Sequence, residues 1–342
     1  MSATKNILVT GGAGFIGSHT AVELINNGFT PVLVDDYRNS ERRIIEGINS
    51  ITNTEVIVRE IDICESDKFK EVFEEFQFEG IIHFAAYKAV GESVEKPLDY
   101  YRNNILGLVN CLQLALEFNI RNVVFSSSCT IYGEPQGIKT VTEESPVQPA
   151  NSPYGNTKQI GEQIIRDLIS SGADIRIINL RYFNPVGAHK SSVIGELPIG
   201  TPNNLFPFIM QTGIGKLEEL SVFGNDYNTP DGTCIRDYIH VSDVADAHVK
   251  ALDWLLEQQG RFVEDINIGT GRGTSVLQAI NAFEEVSGLK LHWKFAARRA
   301  GDVEEIYANV EKSMKLLNWK ATRTVKDAVQ DAWNWEKNLN ND

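Results

Sequence analysis

The chain has 342 residues, 42% hydrophobic and 23% charged, which is a soluble globular composition with enough apolar material for a sizeable core. At about 150 residues per domain the length suggests two domains. Thirty-two basic against 46 acidic residues leave a net charge of −14, a field that repels nucleic acid and anionic membrane surfaces.

The amino terminus runs from Met1 through Lys5 directly into Asn6-Ile7-Leu8-Val9-Thr10. A secretory signal would need a charged start and an apolar core, and neither is present. No apolar run is long enough to span a bilayer. The four cysteines (Cys64, Cys111, Cys129, Cys234) form no CxxC pair, which argues against both a zinc site and a disulfide framework. The expected setting is the cytoplasm, with reduced thiols.

Short β-rich runs then alternate with helical stretches. Strands are predicted at Ile7 to Thr10, Pro31 to Asp35, Val56 to Glu60, Gly80 to Phe84, Val123 to Ser127 and Ile175 to Arg181. Helices are predicted at Ser18 to Asn27, Ser66 to Phe76, Asn103 to Phe118 and Pro153 to Ser170. Apolar runs without polar alternation suit strands buried on both faces of a parallel sheet. The fold class is therefore α/β, with a doubly wound parallel Rossmann sheet.

From Asn184 to Leu205 the regularity fails, and Pro185, Gly187, Gly195, Pro198, Gly200 and Pro202 mark a long irregular segment. Mixed elements follow: helices at Phe206 to Gly215, Val241 to Gln259, Val276 to Ser287 and from Val325 towards Asn338, and a strand at Leu220 to Phe223. These read as a smaller mixed α/β lobe with the site in the cleft between the lobes. The expected division is residues 1–183 and residues 184–342, with the chain free to cross between them.

Gly11, Gly14 and Gly17 form a G-x-x-G-x-x-G turn between the first strand and first helix. Gly11 permits the tight turn, Gly14 lets the backbone approach a pyrophosphate, and Gly17 lets helix and strand pack closely. The second strand ends at Asp35-Asp36, where a carboxylate accepts from both ribose hydroxyls and repels a 2′-phosphate, favouring NAD over NADP. Asp62, after the third strand, lies where an adenine amino group is read. Phe84-Ala85-Ala86, after the fourth, offers small side chains beside a cofactor.

Ser126-Ser127-Ser128 ends the fifth strand, and Tyr154-Gly155-Asn156-Thr157-Lys158 opens the following helix. Tyr154 and Lys158 are i and i+4 and share a helix face. A nearby ammonium favours the phenolate of an otherwise weak base. Ser128 is placed to relay the substrate hydroxyl proton. The chemistry is removal of a proton from an alcohol while hydride leaves its carbon for NAD.

These residues resemble the extended short-chain dehydrogenase/reductase superfamily and, within it, the UDP-glucose 4-epimerases. The resemblance runs from Ile7 to Trp335 and is carried by GGAGFIGSHT (11–20), HFAAYKAVGESV (83–94), FSSSCTIYG (125–133), SPYGNTK (152–158) and RYFNPVGAH (181–189). PNNL (202–205), FGNDYNTPDGTCIRDYIHV (223–241) and RAGD (299–302) continue it. It implies one tightly held NAD, returned unchanged. Tyr154 takes the 4-hydroxyl proton as hydride passes from C4, and the 4-keto sugar swings about its link to UDP and takes hydride back on its other face. The lobes become an NAD-binding and a UDP-sugar-binding domain.

The resemblance further implies that Phe15 and Ile16 belong to the phosphate turn, and that Lys88 lies over the cofactor pyrophosphate. Asn103 and Phe183 lie along the nicotinamide side, and Asn39, Ser40 and Ile63 complete the cofactor set. Lys88, Ser128 and Tyr154 also touch substrate. Arg236 and Arg299 bind the diphosphate, for which arginine geometry is suited. Asp302 meets the uridine ribose, Leu205 and Phe223 flank the uracil, and Asn184 and Asn204 hydrogen-bond the sugar diphosphate. A homodimer is implied, through helices at about Leu106 to Phe118 and Ser152 to Ile169.

Two departures stand out. At the family's gate beside the sugar 2-position this chain has Ile306, neither a bulky tyrosine nor a very small residue, so acceptance of N-acetylated UDP-sugars such as UDP-N-acetylglucosamine stays open. The loop from Glu134 to Val147 is longer than in some members. A nucleotide-sugar 4,6-dehydratase needs an acidic pair after the serine strand, where this chain has Cys129-Thr130. A non-catalytic NAD or UDP-sugar sensor would not need serine, tyrosine and lysine together. The histidines form no HExxH or close cluster, so no metal is expected. Cys129 reads as a small buried thiol rather than a nucleophile.

Overall fold

The structure is a computed structural model and describes residues 5–134, 137–299 and 302–340. Ala300 and Gly301 of the RAGD motif, and Pro135 and Gln136 of the Glu134 to Val147 loop, lie outside the described residues.

A seven-stranded parallel sheet forms the centre. Its strands are β1 (Asn6–Thr10), β2 (Thr30–Asp35), β3 (Ile57–Glu60), β4 (Gly80–His83), β5 (Asn122–Ser128), β6 (Arg176–Tyr182) and β7 (Phe262–Ile268). They lie in the order β7-β6-β5-β4-β1-β2-β3, every neighbouring pair parallel. The order reverses at β1, which pairs with β2 on one side and β4 on the other. That switch point opens a crevice at the carboxyl ends of the strands. Ile7, Leu8, Val9, Val32, Leu33, Val34, Ile81, Ile82, Val123 and Val124 are fully buried, which explains why these strands read as unbroken apolar runs.

Helices cover both faces. They are α1 (Phe15–Asn26), α2 (Arg42–Thr52), α3 (Ser66–Glu75), α4 (Val90–Glu95), α5 (Pro97–Glu117) and α6 (Pro153–Ser170), followed by α7 (Leu205–Gly213), α8 (Val241–Glu257), α9 (Val276–Ser287), α10 (Glu311–Leu317) and α11 (Val325–Leu339). Ala21, Leu24, Ile44, Ile48, Val244, Ala247 and Leu255 bring α1, α2 and α8 into one core layer. Phe69, Phe73, Leu108, Leu112 and Ile165 bring α3, α5 and α6 into the other.

The expected elements are present with shifted ends. Helix α5 starts six residues before Asn103, because Pro97 at its first turn suits a position whose N–H needs no partner. Helix α2 and strand β7 are additional to the sequence reading. Strand β7 carries Glu264 and Asp265 and so lacks the apolar run that marks its neighbours. It completes the sheet beside β6, and α8 packs on α1. The chain thus returns to the large sheet after residue 183.

The remaining elements form the smaller lobe. Phe206, Ile209, Met210, Leu220, Ala279, Phe283, Val329 and Trp333 make its core, from α7, α9, α11 and a strand at Leu220–Phe223. A small sheet orders Thr274–Ser275, Ile235–Arg236, Glu305–Ala308 and Thr140–Val141, the last supplied by the first half of the chain. Segment 187–204 is tied down at both sides. A Cβ on Gly47 of α2 would sit 2.6 Å from Ile194, and one on Gly195 would sit 2.5 Å from Trp335 of α11.

A buried ionic cluster locks β5, α6, β6 and β7 together. Arg181, 2% exposed, donates to Glu162 Oε1 at 2.9 Å and Oε2 at 2.6 Å, and to Asp265 Oδ2 at 2.8 Å. Arg166 reaches the same two carboxylates, and Ser127 Oγ donates to Glu162 at 2.7 Å. Removing one partner of a buried pair strands the others without solvent. Arg181→Met is therefore expected to lower unfolding stability by about 3–5 kcal/mol in a denaturant titration; a loss below about 1 kcal/mol would show that Arg166 alone satisfies both acids.

Candidate functional site

Thr10 ends β1, and the chain turns at Gly11, whose φ of +70° suits glycine. A Cβ there would lie 2.8 Å from the Ala85 nitrogen, so the turn after β1 and the residues after β4 touch backbone to backbone. A Cβ on Gly17 would lie 2.2 Å from the Gly11 carbonyl oxygen, so the first turn of α1 packs directly on the glycine turn rather than on the strand. Gly12 is equally constrained by Leu33, a role the sequence reading missed. Gly14 caps α1 with no side-chain hydrogen bond, leaving the first-turn amides of α1 to backbone and ligand. Phe15 and Ile16 follow as the first helical residues. This bare cradle at a helix amino terminus fits a dinucleotide pyrophosphate.

At the adenosine end the acids are already engaged. Asp35 accepts from Ala13 N at 2.9 Å, Tyr37 N at 3.0 Å and Ser40 Oγ at 2.7 Å, so it braces the glycine turn. Burial nevertheless pushes its pKa up. Asp36 accepts from Arg38 N and Nε at 2.9 and 2.7 Å. Arg38 also pairs with Asp62 and donates to the Tyr87 hydroxyl at 2.9 Å, with Asn39 beside it. Burial works against the Asp62 carboxylate, but the Cys64 N–H and Arg38 outweigh it and hold its pKa below the ordinary value. The sequence reading left Arg38 aside. Its signal was a cation two residues beyond the acidic strand end.

Ile63 is buried against Gly107 of α5. Phe84 N donates to Thr10 O at 3.0 Å, and its ring lies 4.6 Å from that of His248. Ala85 closes on Gly11, and Ala86 is half-buried beside it. Lys88 stands over the Phe15 ring at 5.6 Å and donates to Glu196 Oε1 at 3.1 Å. Asn103 on α5 donates to Asn104 Oδ1 at 3.0 Å.

Ser128, at the end of β5, meets Tyr154 and Lys158 from the first turns of α6. Pro153 and the Ser152 cap, which accepts from Gly155 N at 3.1 Å, fix where that helix begins. All three side chains are buried. Ser128 Oγ accepts from Thr130 N at 3.2 Å and lies close enough to Tyr154 to pull its pKa down. Lys158 Nζ donates to Ser126 O at 2.7 Å and lies 6.0 Å from the Tyr154 ring centre. Burial pushes Lys158 down to about 8, with Glu162, one turn on, pulling the other way. Burial and the neighbouring Tyr182 push Tyr154 well above its ordinary value, and the Ser128 hydrogen bond opposes them. The lowering of Tyr154 anticipated from the i, i+4 spacing is outweighed here by desolvation. Tyr182 is a further residue the sequence reading passed over; its hydroxyl accepts from Ser126 Oγ at 3.0 Å.

In the smaller lobe, Arg236 and Arg299 converge on one acid. Arg299 donates to Asp302 Oδ1 at 2.8 Å, and Arg236 comes within 3.8 Å of it. Arg299 also lies over the Phe223 ring at 5.7 Å, with that ring partly exposed. Leu205 begins α7, and Asn204 before it donates to Glu196 Oε1 at 2.8 Å. Asn184 N donates to Asp237 O at 3.0 Å. Phe183 is buried in a cluster with Tyr132, Ile306 and Ala308, and Ile306 is itself 6% exposed and registers opposite Arg236.

Asp237, next to Arg236, is fully buried. It accepts from Thr270 N at 2.9 Å, Thr270 Oγ1 at 2.6 Å, Gly271 N at 3.0 Å and Ala308 N at 3.2 Å. It therefore pins the Arg236 strand to the loop after β7 and to the Ile306 strand. An acid inside the apolar run CIRDYIHV was its signal. The thiol of Cys129 is pushed up to about 12 by burial, which removes it as a nucleophile at neutral pH. His19 and His83 are pushed down to about 3, and His248 to about 4, all by burial. No group of three metal-ligating side chains occurs among the described residues.

Residues 7–269 match the NAD dependent epimerase/dehydratase family. The chain is 47% identical over 337 residues to UDP-glucose 4-epimerase 2 of Arabidopsis thaliana, covering 98% of this chain and 95% of that protein. It is 46% identical over 330 residues to the UDP-glucose 4-epimerase of Bacillus subtilis (strain 168), covering 96% of each. The crystal structure of UDP-glucose 4-epimerase from Bifidobacterium longum in complex with NAD+ and UDP superposes with a TM-score of 0.94 at 42% identity, over 98% of this chain and 99% of that one.

Proposed function

The chain belongs to the NAD dependent epimerase/dehydratase family, and from that premise we infer that it is an NAD-dependent isomerase interconverting UDP-glucose and UDP-galactose. The observation that carries this reading is that Ser128, at the carboxyl end of β5, and Tyr154 and Lys158, in the first turns of α6, are buried side by side. NAD, when bound, supplies a hydride acceptor for the sugar C4 and gives the hydride back.

The chain's own residues handle the proton and the anchoring. Tyr154, as the phenolate, takes the proton of the 4-hydroxyl and later returns it, and its raised pKa makes that phenolate a strong base for the uptake. Lys158 supplies positive charge on the same helix face, and Ser128 Oγ holds the hydroxyl line to Tyr154. The cofactor set is the glycine turn with Phe15 and Ile16, Asp35, Asp36, Asn39, Ser40, Asp62, Ile63, Phe84 to Ala86, Lys88, Asn103 and Phe183. Arg236 and Arg299 grip the diphosphate while the sugar turns. Asp302, Leu205, Phe223, Asn184 and Asn204 complete the substrate set.

The division into residues 1–183 and 184–342 is one of ligand side rather than of packing, since α8 and β7 belong to the large sheet. A homodimer through the faces of α5 and α6 is supported by the exposed Leu98, Leu106 and Leu116 of α5. Light scattering is expected to give twice the chain mass; a monomer at micromolar concentration rejects it. The four free thiols suit a reducing, cytoplasmic setting, and no helix among the described residues is long and apolar enough to cross a membrane.

Purified protein is expected to convert UDP-galactose to UDP-glucose with no NAD added, read by separating the two nucleotide sugars. Tyr154→Phe should abolish that turnover while NAD stays bound; undiminished turnover removes Tyr154 from the reaction. Ile306, in one buried cluster with Phe183, stands at the family's gate position and is intermediate in size. Weak conversion of UDP-N-acetylglucosamine is expected, and Ile306→Ala should raise it about tenfold, the scale set by a few methylenes in an apolar pocket. No gain over wild type counts against a gate at this position.

A further inference from the structure

Glu196 has no role in the reaction outlined above, yet it touches two residues that do. Its backbone is fixed from behind: Gly195 leaves no room for a Cβ beside Trp335, and Trp335 Nε1 donates to Glu196 O at 2.9 Å. Helix α11 therefore holds this residue of the irregular segment in place. The carboxylate is 11% exposed, and one oxygen, Oε1, accepts from both Lys88 Nζ at 3.1 Å and Asn204 Nδ2 at 2.8 Å. Lys88 comes from the loop after β4, over the glycine turn; Asn204 comes from the start of α7 in the smaller lobe.

An ammonium has three N–H donors and a primary amide has two. Each partner spends one on Glu196 and keeps others for a ligand. Phosphate oxygens accept from such donors without displacing the carboxylate. A carboxylate serving only as a surface ion-pair partner would be exposed and would meet a cation alone. This one is only 11% exposed, is backed by a tryptophan and joins a donor after β4 to one at the start of α7.

We propose that Glu196 is a positioning residue that couples the two phosphate sites, holding Lys88 towards the cofactor pyrophosphate and Asn204 towards the substrate diphosphate through a single oxygen. The inference rests on the roles given to Lys88 and Asn204 in the proposed function. Occupancy of the substrate site restrains Asn204, through it the carboxylate, and through that Lys88. Cofactor release is therefore slower when UDP is bound, and by linkage the effect is reciprocal.

The test follows NAD release from the NAD-loaded enzyme, chased with and without UDP. UDP is expected to slow release about tenfold in wild type, and less than about twofold in Glu196→Gln, which keeps the side-chain shape but loses the charge. In a Lys88→Met background, Glu196→Gln should change the ratio no further, whereas a merely structural role would leave its effect intact there. A wild-type ratio in Glu196→Gln, or no slowing by UDP in wild type, overturns the coupling. Absence of any UDP-galactose turnover by wild type would instead reject the function on which it rests; an active enzyme whose release ratio ignores Glu196 rejects the coupling alone.

Discussion

The buried Arg181 ties the sheet to the chemistry. Its guanidinium is closed off from water and joined to Glu162 of α6 and Asp265 of β7, so helix and edge strand are bound to the same residue of β6. Glu162 is four residues beyond Lys158, which is four beyond Tyr154, and the three share one face of α6. The same carboxylate takes the hydroxyl of Ser127, whose neighbours are Ser126, the carbonyl partner of Lys158, and Ser128. A charge that cannot reach water must keep its partners in place. Here that requirement fixes the height of α6 against β5, and with it the meeting of serine and tyrosine.

A second constraint follows from the chain's acidity. With a net charge of −14, a cleft for an anion has to be built from local cations, and each is held by an acid. Arg38 lies between Asp36 and Asp62, Lys88 on Glu196, and Arg299 on Asp302 with Arg236 close by. Pairing keeps long side chains in one region of space, so less freedom is lost when a phosphate arrives. It also confines the positive potential to the cleft, because charges farther apart than about 8–10 Å are screened at physiological salt.

Burial also sets the protonation of the reacting groups. Burial raises the pKa of the Tyr154 phenol and brings that of the Lys158 ammonium down to about 8. Desolvation disfavours the charged form of each, in opposite pKa directions. The i, i+4 spacing by itself suggests mutual help between phenolate and ammonium; the enclosed site has desolvation working against both ions at once. The nearby Ser128 hydroxyl, which pulls Tyr154 down, and the hydrogen bond from Lys158 to the Ser126 carbonyl are the local answer to that penalty.

The sequence by itself determined whatever depends on near neighbours along the chain. Unbroken apolar runs such as Ile7 to Val9 and Ile81 to Ile82 specify strands buried on both faces. The glycines at 11, 14 and 17 specify a turn in which a side chain at 11 or 17 would run into backbone, and Tyr154 and Lys158 are paired by helical period alone. Strand β7 escaped because Glu264 and Asp265 break its apolar run, and Arg166 of α6 with Asn179 and Arg181 of β6 make Asp265 acceptable there. Arg181, Glu196 and Asp237 escaped for the same reason. Their partners lie 19 and 84, 108 and 8, and 33 and 71 residues away. Periodicity and turn chemistry act over a few residues, but the cost of burying a charge is decided by whichever groups the tertiary fold brings beside it.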